Sequence, residues 1–80
     1  MPNTLQIGAM IRFHRKIAKL SQAELAKLAG VGKTAVFDIE RGKETVRLLT
    51  LIKVVRILNI TIKFNGPLMN SFEKEMNEKS

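Results

Sequence analysis

Five side chains between Lys33 and Arg41 have the types and spacing to bond a polyanion and to read its surface. Projected on a helix, Lys33, Thr34, Phe37, Asp38 and Arg41 share one side, while Ala35, Val36 and Ile39 share the other. A lysine can donate to guanine O6 and N7, and a threonine can offer either its hydroxyl or its methyl to thymine. Arg41 and Lys43, at the far end, suit backbone phosphates, contacts that set register more than sequence. Phe37 either meets thymine methyls or turns inward to pack. Asp38 repels phosphate, so it accepts from cytosine N4, holds Lys33 or Arg41 in place, or discriminates against sequences.

Other chemistry finds little support. His14 is the one histidine, on a basic helix, with no serine or cysteine placed to form a triad and no glycine-rich phosphate loop. Asp38, Glu40 and Glu44 cluster in sequence, but carboxylates without ligand histidines do not make a metal site. No catalytic residue, metal or cofactor is therefore expected. The absence of cysteine excludes disulfides and thiolate chemistry and fits a reducing compartment.

The elements that must carry these side chains lie between Ser21 and Gly42. Ser21 and Glu24 match the capping box S-x-x-E, so a helix starts there, with Leu25, Ala26, Leu28 and Ala29 on its apolar side. Gly30 can end it in the left-handed conformation, and Val31 plugs the turn. A second helix follows from about Lys33 to Arg41, with Gly42 as terminator. Two short helices joined by a glycine-bearing turn are set roughly across one another.

Eighty residues allow one small core, near the size at which oligomerisation supplies missing burial. The net charge is +7, and Met1 to Lys43 holds eight Lys/Arg against three Asp/Glu, compared with six against four beyond it. This excess points to a polyanionic partner on the side of the two short helices. No signal peptide is visible, and Arg47, Lys53, Arg56 and Lys63 interrupt the longest apolar region, so no membrane span is expected.

In chain order, Asn3 or Thr4 caps a first helix that runs to about Lys19. Leu5, Ile7, Ile11, Ala18 and Leu20 are placed to bury, while Arg12, Lys16 and Lys19 stay wet. After a loop at Lys43 to Arg47, Leu48, Leu51, Ile52, Val55 and Leu58 form one stripe that closes the core. Val54 and Ile57 widen the apolar surface beyond that stripe, a signal for a partner surface. Ile60, Ile62 and Phe64 alternate with Thr61 and Lys63, the pattern of a half-buried strand. Its mate would be the same segment of another copy, or the segment is an irregular arm packed on its own helices. Residues 70–80 are either a frayed tail or a short helix that orders on a partner.

The segment resembles the helix-turn-helix of the phage-repressor (lambda repressor and Cro) superfamily. The resemblance rests on Leu20-Ser21-Gln22, Glu24-Leu25-Ala26, the Gly30-Val31-Gly32 turn and Ile39-Glu40-Arg41-Gly42. It covers about a quarter of the chain, or about three quarters with the flanking helices. It implies an all-α, lambda-repressor-like bundle of four to five helices, here with a short C-terminal β-strand pairing across a homodimer. By alignment, Gln22 holds a phosphate and braces the recognition helix, and Lys33 and Thr34 reach bases or adjacent phosphates. Arg15 aligns with an arginine that pairs with the glutamate equivalent to Glu40. Arg47 stands where relatives often place a capping serine or threonine, and Gly32 where they often have a small polar residue.

Residues 60–69 also resemble the end of HipB-type antitoxins. Together these likenesses imply a helix-turn-helix domain over 4–59, a dimerisation strand over 60–66 and a tail over 67–80. Val54, Ile57, Ile60, Ile62 and Phe64 are the expected dimer residues. The function implied is a repressor that binds a palindromic double-stranded DNA operator as a homodimer in the bacterial cytoplasm, on the nucleoid. Its narrower form is an antitoxin with a HipA-like kinase toxin as partner. A free-standing or phage-type regulator, or an interaction module without DNA binding, is the alternative.

Overall fold

The computed structural model describes residues 3–79 and is all-α, with five helices in the order α1 Thr4–Ile17, α2 Gln22–Ala29, α3 Lys33–Glu40, α4 Leu48–Ile57 and α5 Met69–Lys79. Capping explains where the first two begin. Asn3 accepts from the Gln6 N–H at 2.9 Å while the Gln6 side chain accepts from the Asn3 N–H at 2.9 Å. Ser21 and Glu24 repeat the exchange at 3.0 and 2.8 Å. Gly32 and Arg47, at the starts of α3 and α4, make no side-chain capping bond.

The first four helices end alike. Lys19, Gly30, Gly42 and Asn59 take positive φ, and the next N–H bonds back five residues: Leu20 to Arg15, Val31 to Ala26, Lys43 to Asp38 and Ile60 to Val55. This return satisfies carbonyls that the helix leaves open and reverses the chain within one residue. It also ends α1 at Ile17 rather than near Lys19.

Ile11, Leu25, Ala26, Val36, Ile39, Val54 and Val55 form one buried cluster with members from each of α1 to α4. Full burial of an aliphatic side chain is worth about 1.5–3 kcal/mol, so this cluster holds the crossing angles. Gly8 lies where α1 comes against the end of α3. It is buried, and a Cβ placed on it would collide with the backbone carbonyls of Ile39 and Glu40 at the end of α3.

Several expectations are corrected by this packing. Leu5, Ala18, Leu28 and Leu48 are exposed rather than buried. Val54 is 0% exposed, because it, and not Leu48, points into the core; it has no surface to give a dimer partner. Among the described residues there is no strand, and 60–66 is an irregular arm. The alternating pattern needs a mate for its backbone groups, and the described residues contain none. Beyond the arm, the tail forms α5.

Candidate nucleic-acid interface

The interface is built on α3, whose two sides are divided as the sequence suggests. Val36 and Ile39 are buried, while Lys33, Thr34, Phe37 and Arg41 are exposed along the opposite side. Phe37 is 52% exposed and does not pack inward; the Arg41 guanidinium lies 5.8 Å from its ring centroid. That cation–π contact keeps the ring presented to solvent.

Asp38 is held by Arg41 Nε at 3.0 Å and Lys43 Nζ at 3.3 Å, and not by Lys33. Hydrogen bonding from Arg41 holds the carboxyl below the usual aspartate range; desolvation opposes it, and Lys43 adds a lesser lowering. The carboxylate therefore stays ionised and orients two cations, which keeps the exit of α3 basic.

Glu40 anchors the same end of the helix from beneath. Arg15 Nε donates to Oε2 at 2.6 Å and Nη2 donates to Oε1 at 2.9 Å, a two-pronged pair with only 11% and 5% of the side chains exposed. Arg15 Nη1 also donates to the Leu20 carbonyl at 2.9 Å, and Gln22 Nε2 donates to Glu40 Oε1 at 3.2 Å. The Arg15–Glu40 pair thus ties α1, the α1–α2 turn and the start of α2 to the end of α3. The hydrogen bond to Glu40 raises the Arg15 guanidinium above its ordinary value, so the guanidinium stays charged.

Between α1 and α3 is an open notch of about 340 Å³, bordered by Arg12, Gln22, Phe37 and Arg41 with the Arg15–Glu40 pair at its base. In sequence Arg12 belongs to the α1 cations that are either a solvated face or phosphate contacts beside the helix-turn-helix. Its one signal was its position one helical turn before Lys16 on the basic side of α1. No group of three or more metal-ligating side chains forms among the described residues, and none of their helices is long and apolar enough to cross a membrane.

A family model described as helix-turn-helix matches residues 11–65, which contain the whole of this interface. The chain belongs to the phage-repressor type of helix-turn-helix protein, a family of DNA-binding transcriptional regulators. The uncharacterized HTH-type transcriptional regulator y4mF of Sinorhizobium fredii is 39% identical over 61 residues, 76% of this chain and 80% of that protein. The control protein C.SmaI of Serratia marcescens is 36% identical over 52 residues, covering 65% of this chain and 62% of its own length. The ImmF control region 10 kDa protein of Bacillus phage phi105 is 33% identical over 57 residues, covering 71% and 63%. Among solved structures, the HipB-O4 20mer complex matches with a TM-score of 0.74 at 19% identity, over 84% of this chain and 94% of that one. At that identity the likeness shows the fold alone.

Proposed function

We propose that this helix-turn-helix chain is a sequence-specific repressor that lays α3 in the major groove of a duplex operator, two copies occupying half-sites about one helical turn apart. The observation that carries this reading is the division of α3: one side is locked in the core and clamped at Glu40, while Lys33, Thr34, Phe37 and Arg41 project together into solvent. Lys33 and Thr34 read base edges, and Phe37 meets thymine methyls. Arg41 and Lys43 hold phosphates in the arrangement Asp38 gives them, and Gln22 braces the helix beside them.

The test is a duplex selected from a random pool, followed by anisotropy titrations. Lys33→Ala with Thr34→Ala is expected to erase preference for the selected duplex, about 1–3 kcal/mol for each good base contact, and to leave background binding to random duplex. Equal loss on every sequence would mean that these residues do not read bases.

A narrower reading, an antitoxin that autoregulates its operon and contacts a HipA-like kinase, is supported by the fold likeness to the HipB complex. Co-purification with the product of an adjacent kinase-like reading frame tests it. If no such frame is present, the free-standing regulator is the better reading.

A further inference from the structure

The chain leaves two apolar surfaces open at its C-terminal end. Leu68, just before α5, and Phe72 and Met76 on it recur every fourth residue as one stripe and are 73%, 53% and 52% exposed. This helix makes no substantial packing contact with α1 to α4. The radius of gyration is 14.6 Å with a long axis of 41 Å, against about 12 Å for a compact chain of this length. The elongation fits a helix standing off the bundle.

The second surface is a groove of about 440 Å³ between α4 and the arm that follows it. Leu48, Ile52 and Val55 form one side, Ile62 and Phe64 the other, and no residue of α5 lines it. The charges are complementary. From Thr45 to Phe72 there are four bases, Arg47, Lys53, Arg56 and Lys63, and no acid, and Arg56 lines the groove itself. By contrast α5 carries Glu73, Glu75 and Glu78 against Lys74 and Lys79. In helical projection Glu73 and Glu75 flank its apolar stripe on opposite sides.

We propose that the α4 groove of one copy receives α5 of a second copy, reciprocally, so that the dimer forms by exchange of C-terminal helices. This rests on the dimeric reading above and specifies its seam. Such an exchange is isologous and closes at two subunits, because each copy fills the groove of the copy that fills its own. It also accounts for α5 itself, since an isolated helix shorter than about 12–15 residues is marginal in water and needs packing to persist.

The chain has no cysteine, so introduced thiols report cleanly. Leu48→Cys and Phe72→Cys both replace exposed residues. The two single variants, mixed and oxidised, are expected to give a disulfide-linked pair joining one of each, while neither variant alone links. A chain carrying both changes that closes on itself at monomer mass would show α5 folding back, and would overturn the exchange. If the unaltered protein sediments as a dimer but the mixture does not link, the seam lies elsewhere; the exchange fails and the dimeric repressor stands. A monomeric mass at high concentration removes both.

Phe72→Glu with Met76→Glu changes only exposed positions and leaves the core intact. It is expected to raise the dimer dissociation constant by on the order of a hundredfold. An unchanged constant would overturn the exchange independently of the thiols.

Discussion

Glu40 is the residue on which three segments converge. Its carboxylate accepts from both Arg15 and Gln22, and with 5% of the side chain exposed it has little water to fall back on. Arg15→Ala would leave that charge nearly buried with one weak amide partner. A loss of about 3 kcal/mol is expected in urea denaturation, together with weaker operator binding as the end of α3 loosens. Arg15→Lys should recover little of it, because one ammonium cannot span both carboxylate oxygens and still reach the Leu20 carbonyl. A variant as stable as the parent would show that the clamp does not hold the fold. The pair was legible through the family resemblance, whereas Gln22 as the third member was foreseen only as a brace of unspecified partner. Asp38 and Phe37 were left open in sequence, because a helical projection places a side chain on a side without choosing its neighbour.

At the level of elements, the crossing of α1 over the end of α3 decides how far the recognition helix stands proud of the bundle. Gly8 permits that crossing by having no Cβ to meet the Ile39 and Glu40 carbonyls. Gly8→Ala is expected to destabilise by about 1–3 kcal/mol, as overpacking does, even though alanine is the better helix former. It should also push α1 away and lengthen the Arg15–Glu40 bonds. Thermal unfolding checks the first effect and operator affinity the second; a stabilised Gly8→Ala would mean that the two helices are not in contact there. Periodicity could not find this residue, since a glycine within a helical pattern reads as a defect until the opposing backbone is known. The helix ends were half legible: Gly30 and Gly42 announce left-handed turns, but Lys19 and Asn59 do the same without a glycine to mark them.

For the whole molecule, net charge and its placement set the mode of association. The formal charge is +7, and Arg12, Lys16, Lys33, Arg41 and Lys43 stand exposed on α1, on α3 and just beyond it. A dimer presenting two such sets would neutralise several phosphates. Its affinity for duplex is expected to fall on the order of a thousandfold between about 50 and 200 mM salt, measured by anisotropy. A flat response would place the functional charge elsewhere. In sequence the apolar excess of the second half is an expectation of a partner surface, and a dimer seam there is our proposal. Val54 does not belong to that surface, because it faces the core, and the arm alone presents no paired edge.

What the amino-acid order determined unaided is local: the Ser21–Glu24 capping box, the Gly30 and Gly42 terminators, the two-sided α3 and the basic first half. These follow from interactions within a turn or two of helix, where spacing in sequence is spacing in space. Tertiary structure alone decided which side of α4 is core, that Phe37 faces outward, that Asp38 serves Arg41 and Lys43, and that Gly8 lets α1 lie against α3. Each of these depends on what a distant segment brings opposite, and a helical period gives direction around an axis without naming what lies across it.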